Sequence, residues 1–317
     1  MELGPAQFDC TAIDMETLAF IRDLERQLAA NPSVMDVPPA QTRAARERGE
    51  GFWRPLTSSA RARDLAIPGP GGDLMLRVVP PQGEPVGAYL HFHGGGWVFG
   101  SSHYQDPLLE EVADRCKLVI VSVDYRLAPE HPYPAATDDA EAAALWLAEK
   151  ALAEFGVEQL VIGGESAGAN LSVAAMVRLR DRHGFTGFAA TNLVSGVFDL
   201  GMTPSLRNWG QRNLVLNTPL MTWFIDQYIG EGEVRRSPDV SPLYASLVGL
   251  PPALFTIGTL DPLLDDTLFQ AARWTAAEND AELAIYPGGI HTFWYFDTEL
   301  GRRARERIAT FFLEALT

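Results

Sequence analysis

Cysteine is nearly absent from this sequence: Cys10 and Cys116 are the two among 317 residues. Neither belongs to a spaced metal motif, and two thiols make no disulfide framework, so both are expected to be free. Long apolar runs are missing as well. No stretch approaches the ~18 residues that a membrane span requires. The start, Met1-Glu2-Leu3-Gly4-Pro5-Ala6, lacks a basic segment followed by an apolar one, so no secretory signal is expected and the cytosol is the simplest location. Positive charge is scarce: 25 Lys and Arg stand against 41 Asp and Glu, a net charge of −16 at pH 7 with no basic run. That balance disfavours nucleic acid and anionic membranes as partners, and a solvated acidic surface accounts for it without invoking a function. There is no internal repeat and no low-complexity tract.

What is present is apolar material in two rhythms. Hydrophobic residues make up 47% of the chain, enough for one large core. Leu18, Ile21, Leu24 and Leu28 recur at helical spacing with Arg22, Glu25, Arg26 and Gln27 between them, which predicts an amphipathic helix. Residues 31–54, rich in Pro, Ala, Arg and Glu and ending in Phe52-Trp53, read as a second short helix and connector covering the main domain. From Asp64 the period changes. Leu74, Leu76 and Val78 alternate with Met75, Arg77 and Val79 after the turn Gly69-Pro70-Gly71-Gly72. Apolar runs follow at residues 87–92, 118–123, 159–162, 253–257 and 282–286, most of them separated by helical stretches such as 137–154, 171–182, 263–277 and 302–315. This alternation predicts an α/β fold with a mainly parallel sheet covered on both faces. Residues 200–240 break the rhythm with Trp209, Trp223, Phe224 and Tyr228 among Pro204, Pro219 and Pro238. An insertion at that place is expected over the strand ends where ligands bind; a packed surface helix pair is the plainer and compatible reading.

The stretch Gly163-Gly164-Glu165-Ser166-Ala167-Gly168-Ala169-Asn170 lies between an apolar run and a helical one. A Gly-X-Ser-X-Gly pattern there places serine on a sharp strand-to-helix turn, with its hydroxyl at a helix N-terminus that favours developing negative charge. A serine needs a base, and the base needs an orienting group. Of six histidines, His291 is best placed, on the Gly-rich segment Pro287-Gly288-Gly289-Ile290 after a strand. Asp261 holds the matching position after the previous strand, in the chain order Ser166, Asp261, His291. Asp265, Asp266 and Asp199 compete for the carboxylate role; the first two suit a helix's first turn. In His91-Phe92-His93-Gly94-Gly95-Gly96-Trp97, glycines free the backbone to present N–H groups, as an oxyanion hole requires. His91 and His93 also invite a metal, but no third ligand stands at conventional spacing, so no metal is expected and His93 is read as fixing the glycine loop. His103, His131 and His183 read as structural or exposed.

Together these motifs resemble the hormone-sensitive-lipase-like family of α/β-hydrolase esterases. The resemblance rests on His93-Gly94-Gly95-Gly96-Trp97, the stretch from Asp124 to Ala136, Gly164-Glu165-Ser166-Ala167-Gly168, Asp261-Pro262-Leu263 and His291. It implies catalysis by Ser166, Asp261 and His291, an oxyanion hole from the N–H groups of Gly95, Gly96 and Ala167, and no metal or organic cofactor. It also implies a cap built from residues 1–55 and the 200–240 insertion, set on a catalytic domain over 56–317. The stretch from Asp124 to Ala136 is implied to be structural. Two residues depart from the family's pattern: Thr292 stands where glycine is common after the histidine, and Glu165 where Asp or Thr is usual before the serine.

The expected activity is hydrolysis of small, uncharged esters with short to medium acyl chains. Trp97, Phe99 and Trp209 are expected to line an apolar, bounded pocket. The same triad would serve an amide, formamide or lactone hydrolase, and the scaffold also supports non-catalytic ligand binding, as in the gibberellin receptors of plants. Either a monomer or a homodimer is compatible with the sequence, and no stable membrane association is expected.

Overall fold

Segments such as Leu118-Val119-Ile120-Val121-Ser122-Val123 have no polar face, the pattern of a strand covered on both sides. The computed structural model, which describes residues 3–9, 11, 13–50, 57–229 and 233–317, places them at the centre of one sheet. Cys10 and the Phe52-Trp53 pair lie outside the described residues. The eight strands are β1 (Arg63–Gly69), β2 (Gly72–Val79), β3 (Gly87–Phe92), β4 (Leu118–Val123), β5 (Gln159–Glu165), β6 (Ala190–Val194), β7 (Ala253–Leu260) and β8 (Ala281–Ile290). Their order is β1-β2-β4-β3-β5-β6-β7-β8; the pairs of β2 with β1 and β4 are antiparallel and all later pairs parallel.

The period-2 alternation of the strands sorts the core into two layers. Leu90, Phe92, Val121, Val123 and Ile162 face one side, packed on α4 (Ala135–Phe155), α5 (Ala167–His183) and α8 (Leu264–Ala276). Tyr89, Leu118, Ile120 and Val161 face the other, against α3 (Asp106–Cys116) and α9 (Glu299–Ala315). In β2, Leu74, Leu76 and Val78 enter the first layer while Val79 enters the second. Cys116 is a free, buried thiol in that second layer.

The amphipathic N-terminal helix is α1 (Met15–Ala29), begun by Asp14, whose carboxylate accepts the Thr17 N–H at 2.7 Å. Its buried residues include Ile21 and Leu24, as the spacing predicts. α2 (Pro39–Glu47) follows, and the interruption at 200–240 contains α6 (Pro204–Trp209) and α7 (Thr218–Ile229). Strands β1 and β6 are additions to what the sequence predicts. β6, Ala190-Thr191-Asn192-Leu193-Val194, has polar residues at its middle and no alternation, yet all five are buried between β5 and β7. β8 also runs on through Pro287, Gly288 and Gly289, which read as a loop; it is the sheet's edge, where a proline forfeits no ladder bond.

Candidate active site

β5 ends at Glu165 and α5 begins at Ala167, so Ser166 alone makes the turn between them, at φ 54° and ψ −118°. A non-glycine residue at such angles is strained and must be held by its surroundings. The Ser166 N–H donates to the Val194 carbonyl at 2.9 Å, and the Asn170 side chain on α5 donates to the carbonyls of Val197 (3.0 Å) and Val240 (2.9 Å). Gly168 lets α5 approach this closely: a Cβ there would fall on the Phe92 carbonyl oxygen at the end of β3. The small residues around the serine are therefore a packing requirement as well as a motif.

His291 follows the last residue of β8, and Asp261 follows the last residue of β7. The structure brings both to Ser166. The Ser166 Oγ lies 3.1 Å from His291 Nε2, and His291 Nδ1 lies 3.1 and 3.0 Å from the two carboxylate oxygens of Asp261. All three are at least nine-tenths buried. Asp261 Oδ1 also accepts the Leu263 N–H at 2.9 Å, which fixes the carboxylate's plane. Next to the histidine, Thr292 has φ 58° and ψ 28°. A glycine would occupy that left-handed conformation freely, so this position does carry a backbone reason for glycine, and threonine holds it under strain.

The rival carboxylates are engaged elsewhere. Asp265 accepts the Ser205 N–H at 2.8 Å. Asp199 accepts from Gly201 N–H at 2.7 Å and from the Tyr244 hydroxyl at 3.1 Å. Asp266 accepts the Phe198 and Asp199 N–H groups at 2.7 and 2.9 Å and the Thr203 hydroxyl at 2.5 Å, tying α8 to the segment after β6. Burial pushes the Asp266 carboxyl up from 3.8 to about 7, against those hydrogen bonds. The folded chain therefore keeps this proton to higher pH than the unfolded chain, and its contribution to stability is lost as pH rises from about 4 to about 7. Asp266→Asn is expected to flatten the dependence of the unfolding midpoint on pH across that window; an undiminished slope would assign it to another group.

The glycine loop leaves β3 beside Ser166. Both ring nitrogens of His91 have protein partners, Ser122 Oγ and a Glu165 carboxylate oxygen, each at 3.0 Å. His93 lies past the end of the strand, stacked on Tyr125 at 4.2 Å, and its Nδ1–H donates to the Gly94 carbonyl at 2.8 Å, as the loop-fixing reading expects. Burial holds the His93 ring below its ordinary value, which favours this neutral form. The Tyr125 hydroxyl donates to the His93 carbonyl at 2.8 Å, and Arg126 pairs with Asp139, so the Asp124 to Ala136 stretch braces the loop. Gly95 turns at φ 118°, and a Cβ there would strike the Phe99 carbonyl. Among the described residues, no backbone acceptor in the turns and loops takes the N–H groups of Gly95, Gly96 or Ala167.

Ser166, His291, Gly95 and Gly96 open into a cavity of about 1510 Å³. Phe20, Leu24 and Leu28 of α1, several residues of α2, and Leu220, Met221 and Phe224 of α7 line it as well. Phe99 lines it as expected. Trp97 and Trp209 do not. The left-handed backbone at Trp97 (φ 60°) sends its indole into the core, fully buried and stacked on Tyr228 at 4.4 Å. Trp209 ends α6 and donates its indole N–H to the Arg212 carbonyl at 2.7 Å, half-buried against the second core layer. The aromatic walls that sequence reasoning did not assign to the pocket are Phe20, Tyr104, Phe224, Tyr295 and Phe296; of these only Phe224 carried a signal, its place in the insertion at 200–240.

A family model described as the alpha/beta hydrolase fold matches residues 89–295, which carry the serine, the carboxylate, the histidine and the glycine loop. The chain belongs to that family, in its hormone-sensitive-lipase-like branch of carboxylic ester hydrolases. This hydrolase is 36% identical over 238 residues to the carboxylic ester hydrolase LipN of Mycobacterium tuberculosis, a match that covers 73% of this chain and 63% of LipN. It is 28% identical to an acetyl esterase of Salmonella choleraesuis, over 77% of each chain. Among solved structures it superposes on a hyperthermophilic esterase from the archaeon Pyrobaculum calidifontis with a TM-score of 0.84 and 32% identity, covering 100% of both chains. Among the described residues, no helix of this hydrolase is long and apolar enough to cross a membrane.

Proposed function

We propose that this hydrolase is a serine carboxylesterase that cleaves small, uncharged esters of short to medium acyl chain through an acyl-enzyme. The observation that carries this is the continuous chain from Ser166 Oγ through His291 to Asp261, opening on the cavity. His291 Nε2 takes the hydroxyl proton as Ser166 Oγ adds to the ester carbonyl. The N–H groups of Gly95, Gly96 and Ala167 receive the negative charge on the carbonyl oxygen. His291 then gives the proton to the departing alkoxide, and water, deprotonated by the same nitrogen, releases the acid. Asp261 keeps the Nδ1 proton facing it and stabilises the imidazolium.

α1, α2, α6 and α7 act as the cap, residues 1–55 and 200–240 supplying its two parts. The apolar walls of α1 and α7 favour uncharged acyl groups, and the acetyl esterase among the relatives supports short ones. The proposal is tested with p-nitrophenyl esters from acetate to palmitate: rates are expected to be highest for the short esters and to fall steeply with length. No hydrolysis at any length would overturn it. Removing residues 1–30, which takes Phe20, Leu24 and Leu28 from the cavity wall, is expected to shift the preferred chain length. An unchanged profile in a folded truncated protein would reject the cap assignment.

A further inference from the structure

Glu165, the residue before the serine, is 1% exposed, and the charge of such a group is costly to bury unless every lone pair is met. Here four donors converge on it. His91 Nε2 lies 3.0 Å from Oε2. On Oε1, the Gln105 amide donates at 2.6 Å, the Tyr295 hydroxyl at 2.8 Å, and the Gly94 N–H closes the set. A carboxylate has about four acceptor sites. Three donors crowd Oε1 and one meets Oε2, and each partner supplies a proton, so the arrangement fits the ionised form. Burial pushes the carboxyl up, but the attraction of His91 and the hydrogen bonds from His91, Gln105 and Tyr295 prevail and hold it below its ordinary value.

The partners belong to separate parts of the chain. Gly94 opens the glycine loop whose next two residues, Gly95 and Gly96, line the cavity. Tyr295 closes the 3-10 turn that follows His291 and Thr292, and it also lines the cavity. Glu165 itself is the last residue of β5, bonded directly to the strained serine. An aspartate would be one methylene, about 1.5 Å, shorter. It could not meet Gly94, Tyr295 and His91 together from this backbone.

We infer that Glu165 is a positioning residue which, through one ionised carboxylate, sets the glycine loop and the histidine loop relative to the Ser166 turn. This rests on the serine-esterase reading above. The oxyanion donors then depend for their aim on a group that touches no substrate. The strain at Ser166 and Thr292 is held in part by the same carboxylate.

The test is Glu165→Gln, an isosteric side chain that replaces one acceptor by an NH2 group, assayed on a short p-nitrophenyl ester. Rates are expressed per active site titrated with a p-nitrophenyl phosphonate, so that unfolded protein does not count. kcat per site is expected to fall about a hundredfold, the scale of an impaired oxyanion donor, with KM within about threefold. Affinity for a trifluoromethyl ketone, which forms the tetrahedral adduct, is expected to fall in parallel with kcat/KM. Glu165→Asp, which keeps the charge, is expected to recover part of the loss. A kcat per site within about threefold of wild type would overturn the inference, as would a loss seen only in KM or in the unfolding midpoint. If Glu165→Gln does not fold, Tyr295→Phe carries the test: several-fold lower kcat per site at unchanged KM supports it, and unchanged kcat overturns it. Ser166→Ala, run alongside, separates the two failures. Activity in that variant defeats the serine-esterase reading, whereas an inactive Ser166→Ala beside a fully active Glu165→Gln defeats this inference alone.

Discussion

Ser166→Ala is expected to lower kcat by about four to six orders of magnitude while leaving the unfolding midpoint unchanged. The hydroxyl is the only group of this residue that reaches His291, at 3.1 Å. It caps no helix N–H, so its removal costs α5 nothing at its N-terminus. Alanine at φ 54° bears the same backbone strain as serine, and the packing of Gly168 against Phe92 is untouched. What remains in the variant is the stabilisation offered by the glycine loop and substrate binding, on the order of 10³ to 10⁴ over water for comparable triads. Turnover by the variant above about one per cent of wild type would remove Ser166 from the nucleophile's role.

Asp261→Asn is expected to reduce kcat by about four orders of magnitude with little change in fold. The reason lies in how the carboxylate is held. Oδ1 accepts the Leu263 N–H at 2.9 Å, so the asparagine keeps its carbonyl oxygen there and turns its NH2 group toward His291. Nδ1, which lay 3.0 Å from Oδ2 and 3.1 Å from Oδ1, then faces an NH2 donor and accepts a hydrogen bond from it rather than donating one. The imidazole proton moves to Nε2, and the ring can no longer take the proton of Ser166. Asp265→Asn provides the contrast. That carboxylate faces the Ser205 N–H, and its loss is expected to leave kcat within a few-fold of wild type. A steep loss in Asp265→Asn with Asp261→Asn active would reverse the assignment.

The features that were legible in the sequence were local ones. Predominantly apolar runs announced β3, β4 and β5, because strands buried on both faces tolerate few polar residues. The serine turn was legible because glycine and alanine are what a helix packed on a strand end requires. Asp261 and His291 were legible as residues standing just past strands, and the structure places them within hydrogen-bond reach of each other and, through His291, of Ser166. What depended on distant partners was not legible. β6 is a strand because β5 and β7 flank it, which its own five residues do not reveal. The direction of Trp97 is set by a left-handed backbone at one residue, which turned an expected cavity wall into core. The left-handed conformation of Thr292 was equally silent. At Glu165 the departure from the family's pattern was visible, but its meaning was not, since its partners Gly94 and Tyr295 stand 71 and 130 residues away.

The measurement that tests the serine-esterase mechanism most directly is covalent labelling with a p-nitrophenyl alkylphosphonate. Each equivalent is expected to release one p-nitrophenol, abolish ester hydrolysis in proportion, and add one phosphonyl group that mass spectrometry of the digested protein places on Ser166. Label on another residue with activity lost, or full labelling of Ser166 with ester hydrolysis intact, would contradict it.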